Sequence, residues 1–332
     1  MFTWNQRMHF EQPITLMVVI VNYCTSQLTI NCLKSLQNQI TAFPGSHVIV
    51  VDNQSPDCSF LDLQTAIEEH QWQSWVSLML ASKNGGYAFG NNLAIRTVLA
   101  ESYPPQYLWL LNPDTEVKPR AMQILYDFMQ SHPDCGIAGS SFENQDGSDW
   151  PIAFRFPTLL SELDNGLRLG IVTRLLSKWV VAREMDKQNA QVDWMAGASM
   201  IIRREVFDTI GFMDEHYFLY YEETDFCFQA KKAGWSIWYV PESRVMHIAG
   251  QSTKLTIRNA KPKRTPKYWF ESRQRYFVKN HGKTYALIAD VIWILAYLLW
   301  TLRRFIQGKP NQDPPYLLRD FIANSLLFSW YI

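Results

Sequence analysis

Ile14-Thr15-Leu16-Met17-Val18-Val19-Ile20-Val21 runs almost without a polar residue and stops abruptly at Asn22-Tyr23. A strand with one wet face would alternate apolar and polar residues; this unbroken run reads as a strand covered on both faces. The pattern returns at His47–Val51, Val76–Ala81 and Tyr107–Leu111. Between these runs, Ser26–Asn38, Leu61–His70 and Asn91–Ala100 carry helical spacing. Covered strands alternating with helices predict an α/β fold with a mostly parallel central sheet flanked by helices. Ligands of such sheets sit beyond the carboxyl ends of the strands. Asn22, Asp52, Asn84 and Asp114 each fall just past a strand end, so they are expected to converge on one edge.

A helix over Arg120–Ser131 is followed by a less regular stretch, Ser141–Gln191, with an amphipathic piece at Leu159–Val172. Its length suits an insertion that covers a site. Regular structure resumes with a strand at Gly197–Ile202 and helices at Arg204–Ile210 and Thr224–Ala233, ended by Gly211 and Gly234. Short strands are expected at Ser236–Val240 and Val245–Ile248, then a basic loop from Lys254 to Lys267 and a helix over Tyr268–Asn280. The most apolar segment, Tyr285–Leu302, is broken only by Asp290 and flanked by Lys283 and Arg303-Arg304. It is borderline for spanning a bilayer. With Trp293, Tyr297 and Trp300 it is expected to touch a membrane leaflet; a buried C-terminal helix is the alternative. The chain thus divides into a sheet-bearing part, 1–250, and a helical part, 251–332.

The 332 residues hold 31 basic and 31 acidic side chains, so no net positive field draws nucleic acid. Aromatic residues are abundant, 13 Trp, 15 Tyr and 19 Phe, which suits sugar-stacking surfaces, a membrane interface, or both. Cys24, Cys32, Cys58, Cys135 and Cys227 form no CxxC pair and are odd in number, which argues for a reducing cytosol rather than a disulfide framework. Met1 to Gln12 lacks a charged-then-apolar export pattern, so a cytoplasmic protein is expected.

Transferring a sugar from a nucleoside diphosphate requires charge compensation for the leaving diphosphate, a base for the acceptor hydroxyl, and a polar cradle for the nucleoside. Asp114, in Leu111-Asn112-Pro113-Asp114-Thr115, is a hard oxygen ligand at a strand end, fit for Mg²⁺ or Mn²⁺. Equally, it is placed to cap the following helix. Glu222-Glu223-Thr224-Asp225 opens a helix, where acids commonly act as caps, but three acids in four residues exceed that need. The preceding Phe218-Leu219-Tyr220-Tyr221 suits a sugar platform. His247 interrupts an apolar strand and is either a ligand or a satisfied core residue. Asp52-Asn53-Gln54-Ser55 can accept from a base or ribose, and Asn84-Gly85-Gly86-Tyr87-Ala88-Phe89-Gly90-Asn91-Asn92 offers backbone donors in a loop that opens a helix. That loop has neither the dinucleotide-binding nor the P-loop glycine spacing.

Taken in order, Val18 to Tyr23, Val50 to Ser55, Asn84 to Asn92, Leu111 to Thr115, Gly197-Ala198-Ser199-Met200, Gly211-Phe212-Met213-Asp214-Glu215 and Glu222 to Asp225 resemble family 2 glycosyltransferases. The resemblance covers roughly residues 14–250. It implies a GT-A fold and an inverting, metal-dependent transfer from a UDP- or dTDP-sugar to a glycan or lipid-linked acceptor. Together with the apolar segment Tyr285–Leu302, it gives the expectation of an enzyme at the inner face of the cell membrane. It gives Asp114 the metal position of the family's Asp-x-Asp element, with Asn112 where many relatives carry the first Asp, and His247 a place completing the metal shell. Glu223 matches the acid most often assigned as base, with Glu222 second. The donor cradle would comprise Asn22, Tyr23, Asp52, Asn53, Ser55, Asn84, Gly86, Tyr87, Gly90, Asn91 and Asn112. Asn112-Pro113-Asp114-Thr115 with Phe156-Pro157-Thr158 looks most like rhamnosyltransferases of bacterial polysaccharide assembly.

Overall fold

A computed structural model describes residues 13–144, 147–185, 187–247 and 262–328. In chain order the first elements are β1 (Leu16–Asn22), α1 (Ser26–Ala42), β2 (Ser46–Asp52), α2 (Ser59–Glu69), β3 (Val76–Leu80), α3 (Tyr87–Leu99) and β4 (Tyr107–Leu111). Next come β5 (Thr115–Val117), α4 (Ala121–Ser131), β6 (Cys135–Glu143), β7 (Asp149–Trp150), β8 (Ala153–Phe154), α5 (Leu159–Leu167) and α6 (Gly170–Leu175). Then follow β9 (Ala190–Gln191), β10 (Trp194–Met195), β11 (Ser199–Arg203), α7 (Arg204–Ile210), α8 (Glu222–Lys232) and β12 (Ser236–His247). The chain continues with α9 (Lys267–His281), α10 (Lys283–Ile306) and α11 (Leu317–Ala323).

The sheet order is β3-β2-β1-β4-β11-β6-β12-β5, with β7 beside β6 and β9 beside β12. β3, β2, β1 and β4 are mutually parallel, β11 runs against both β4 and β6, and β12 runs parallel to β6. The principal strands other than β11 therefore share one direction. Residues of β1, β2 and β4 are fully enclosed along nearly their whole length, as the unbroken apolar runs require, and Leu33, Leu36, Ile95 and Val98 from α1 and α3 pack on them.

The topology assembles the functional edge. Because β11 is reversed, its first residue, Ser199, pairs with Leu111, the last of β4. Because β5 is reversed against β12, Thr115 pairs with His247. The starts of two reversed strands therefore lie beside the ends of the forward ones.

Three sequence expectations change. The strands expected at Ser236–Val240 and Val245–Ile248 are one strand, β12, whose register against β6 shifts between Val240 and Arg244; Ile248 and most of the basic loop lie outside the described residues. The helix expected from Asn91 begins at Tyr87, so Gly90 and Asn91 are helical rather than part of a loop. The amphipathic piece is two helices, α5 and α6, and α5 packs against α10 instead of standing free.

Tyr276, Phe277, Ala286 and Ala289 form one small core between α9 and α10, and Trp293, Tyr297 and Phe321 form another against α11. A fully enclosed ion triad ties these helices to α5: Arg273 reaches Glu162 at 2.6 Å and Asp290 at 2.6 Å. The pairing takes the Arg273 guanidinium out of solvent.

Candidate active site

Asn22 and Asp52 end adjacent parallel strands in register. Asn22 Nδ2 donates to Asp52 Oδ2 (2.7 Å), and Ser55 donates from its backbone N–H to Oδ1 (2.8 Å) and from its hydroxyl to Oδ2 (2.8 Å). Thr25 and Thr29 hydroxyls donate to Asn22 Oδ1 at 3.0 and 2.9 Å. This network fixes the turn after β2, in which Gln54 adopts a left-handed φ of 56°. Tyr23 projects beside it and is partly exposed.

Asn53 carries the network to the next strand. Its Nδ2 donates to Asn84 Oδ1 (3.0 Å) and to the Gly86 carbonyl (3.0 Å), while its buried Oδ1 has no partner. Gly86 has φ +88°, and a Cβ built there would lie 1.8 Å from the Phe218 carbonyl oxygen. Only glycine permits that approach, which lets Tyr87 N–H donate to the same carbonyl (3.1 Å). Gly90 faces Val21 closely enough that α3 can lie against β1, and Asn91 Nδ2 donates to the Tyr87 carbonyl (3.0 Å).

Phe218 begins the segment that presents the acids. Tyr220 and Tyr221 both take left-handed conformations, φ 71° and 69°, immediately before Glu222 and Glu223. Two bulky residues in succession there carry backbone strain of order 1–3 kcal/mol each, held by the surrounding packing. The Oε2 atoms of Glu222 and Glu223 are buried without a hydrogen-bond partner, so their task is not exhausted by capping α8. Burial, then the neighbouring Glu223 charge, pushes the Glu222 carboxyl well above the ordinary range. Burial also raises Glu223, opposed by its own backbone N–H and that of Gly197. Both carboxyls are thus held above the ordinary range by burial, and Glu223 differs in having the Gly197 N–H to offset part of that cost.

Gly197, which the sequence reading quoted without a task, is the hinge of the arrangement. Its carbonyl accepts from the Tyr87 hydroxyl (2.7 Å), and its N–H serves Glu223. The next carbonyl, Ala198, accepts from Asn112 N–H (3.0 Å), two residues before Asp114. A signal was present, since a glycine and small residues precede an apolar strand, but no local rule gives them this role.

Asp114 is buried and faces His247, with Oδ1 and Nε2 separated by 3.2 Å. It does not cap α4, because β5 intervenes and Arg120 occupies that cap. Nor is His247 a satisfied core residue: its buried Nδ1 has no partner, and its ring meets Phe142 edge-on at 5.2 Å. One carboxylate and one imidazole make a compact N/O donor set for a divalent cation that takes its remaining ligands from phosphate and water. Among the described residues no group of three His, Cys, Asp or Glu side chains that could hold a metal ion is assembled.

Behind the acids, Asp225 is held by Lys279 (2.6 Å) and Asn280 (2.8 Å), and Asp214 by Arg275 (2.6 Å) and Lys279 (2.9 Å). These cations of α9 brace the segment that carries Glu222 and Glu223. A cavity of about 410 Å³ lined by Gln39, Phe43 and Arg120 lies between α1 and α4 and shares no residue with this edge.

Residues 13–262 match the family model described as "Glycosyltransferase like family 2". An N-acetylglucosaminyl-diphospho-decaprenol L-rhamnosyltransferase from Mycobacterium tuberculosis is 28% identical over 86% of this chain and 88% of its own length. The crystal structure of S. aureus TarS superposes with a TM-score of 0.51 at 14% identity, covering 88% of this chain and 45% of that one. This chain therefore spans less than half of TarS. The mannosyltransferase PcManGT from Pyrobaculum calidifontis, solved with GDP-Man and Mn²⁺, gives a TM-score of 0.54 at 13% identity over 99% of this chain and 84% of that one. These likenesses agree with the GT-A architecture of the sheet and its flanking helices.

Proposed function

The chain belongs to glycosyltransferase family 2, and from its site we propose that it is an inverting transferase using a dTDP- or UDP-sugar, with dTDP-rhamnose the first candidate. The acceptor in this reading is a sugar carried on a lipid diphosphate at the cytoplasmic face of the membrane, for a cell-surface polysaccharide. The M. tuberculosis relative's name supports rhamnose as the sugar and a lipid diphosphate as the carrier of the acceptor. In this reading the catalytic unit lies within residues 1–250, and α9, α10 and α11 of the remaining part, 251–332, brace it.

What supports the proposal is a run of contacts leading from one acid's segment toward the other's: the Glu223 charge acts on Tyr87, whose hydroxyl donates to the Gly197 carbonyl, and the next carbonyl, Ala198, accepts from Asn112 N–H two residues before Asp114. In this reading Asn22, Tyr23, Asp52, Asn53, Ser55, Asn84, Gly86, Tyr87 and Asn112 make up the donor cradle, and Asn53 Oδ1, which has no partner within the described chain, would accept from a base or ribose. Asp114 and His247 would hold Mg²⁺ or Mn²⁺, which supplies positive charge against the departing diphosphate. Glu223 accepts the proton of the acceptor hydroxyl through its carboxylate. The hydroxyl oxygen bonds to the anomeric carbon as the carbon–oxygen bond to the diphosphate breaks, inverting that centre. Glu222, its carboxyl raised by burial, stands beside the base as the second acid of the pair. A non-catalytic scaffold would have no use for two buried acids, each with one unpartnered oxygen, at the strained end of a helix.

Purified protein incubated with dTDP-rhamnose and with UDP-sugars, with Mn²⁺ or Mg²⁺, should release nucleoside diphosphate when an N-acetylglucosaminyl diphosphate lipid is supplied. Failure of every nucleoside diphosphate to bind would remove the proposal.

A further inference from the structure

The outward face of α10 meets no other part of the described chain. Leu298, Leu299, Leu302 and Phe305 are exposed, spaced along one side of the helix, while Ala289, Trp293 and Tyr297 on the other side are buried. The end of α5 fixes what lies beside them. Arg303 donates to the carbonyls of Leu167 (2.9 Å) and Arg168 (2.8 Å), and Arg168 bonds Asp313 at 2.5 Å while its guanidinium lies over Trp300. α6 follows directly and adds Ile171 and Leu175, both largely exposed. Residues 169–183 and 291–312 contain no Asp or Glu, whereas Arg174, Lys178 and Lys309 are exposed.

We infer that α6 and the C-terminal half of α10 form one surface that seats this protein on an anionic lipid bilayer, with α10 lying in the plane of the leaflet. Aliphatic side chains flanked by the exposed cations Arg174, Lys178 and Lys309, with Asp313 taken up by Arg168 and Tyr297, match the layered chemistry of acyl chains beneath negatively charged headgroups. A second copy would bring the same cations against each other. At 24 residues, α10 is about 36 Å long and would reach across a bilayer. Its inner face denies it that course. Asp290 is locked to Arg273 and accepts from Leu326 N–H (2.9 Å), and Trp293 stacks on Phe321 at 3.8 Å. Spanning would strip those contacts and expose a carboxylate to hydrocarbon. The surface deepens the proposed use of a lipid-linked acceptor, but it stands on exposure and charge rather than on the catalytic assignments.

Flotation of the full chain with phosphatidylcholine vesicles, with and without phosphatidylglycerol, tests the inference. Wild-type protein should float with anionic vesicles at least tenfold more than with neutral ones. Leu299→Glu with Phe305→Glu should lose at least tenfold of that binding, and Arg174→Glu with Lys178→Glu several-fold, both retaining nucleoside diphosphate binding as a sign of folding. Unchanged flotation of both double variants overturns the surface. Resistance of cell-membrane-bound protein to alkaline carbonate would show a spanning helix and overturn the in-plane placement. A wild-type dimer in light scattering that Leu299→Glu dissociates would give the face to a second copy instead. Vesicle binding without sugar transfer would count against the catalytic reading alone.

Discussion

His247 Nε2 stands 3.2 Å from Asp114 Oδ1, although 133 residues separate them in the chain. Pairing of Thr115 with His247 across β5 and β12 sets that approach, so the donor set is built by strand register rather than by a flexible loop. Replacing Asp114 with Asn keeps the shape and removes the charge. Calorimetry of nucleoside diphosphate binding over a Mn²⁺ titration should then show the cation dependence gone. For His247→Ala, affinity for Mn²⁺ should fall about 10- to 100-fold. Retained cation dependence in Asp114→Asn would assign the cation elsewhere.

Glu223→Gln should lower kcat by about a hundredfold to ten-thousandfold, the usual worth of a general base, while donor binding stays near wild type. Turnover and calorimetric titration on the same preparation separate the two effects. An equal loss of both would mean that Glu223 positions the donor instead of taking the proton.

Glu222 is a pH-linked weakness in the fold. Burial raises its pKa in the folded chain above the ordinary glutamate value of 4.5, so within that window the folded state holds a proton that the unfolded chain has released. Its stabilising contribution is full below the ordinary value and is lost as pH rises through the raised one. Glu222→Gln should therefore raise Tm at pH 7 to 8 and do little at pH 4 to 5. Thermal melts across that range that show the opposite ordering would mean that Glu222 is ionised in the fold.

Arg273→Ala leaves Glu162 and Asp290 buried without their cation. Urea denaturation should register a loss of about 3–5 kcal/mol, the usual consequence of breaking one side of an enclosed pair. Adding Glu162→Gln and Asp290→Asn to Arg273→Ala should recover a large part of it, because neutral amides no longer require the missing charge. No recovery would locate the loss in packing against Phe277 and Phe321, over which the guanidinium lies.

Much of the sheet was legible because Leu16–Asn22, Ser46–Asp52 and Tyr107–Leu111 are buried on both faces, and such strands advertise themselves as unbroken apolar runs. Helix starts were harder. Tyr87, Gly90 and Asn91 look like loop chemistry, yet close packing of Gly90 on Val21 and the bond from Tyr87 N–H to Phe218 make that segment helical. The setting of Glu223 was likewise hidden, since it depends on the N–H of Gly197, which lies between β10 and β11, far from α8 in the chain.

The amino-acid order alone determined which segments could be covered strands, which residue types stood at their ends, and that α10 would be apolar, because those properties follow from local pattern and composition. The meeting of Asp114 with His247, the service of Gly197 to Glu223, and the capture of Asp290 by Arg273 were decided only when the strands took their order and direction. Each joins residues far apart in the chain, and no local propensity encodes the reversal of β11 and β5 that brings the first two together.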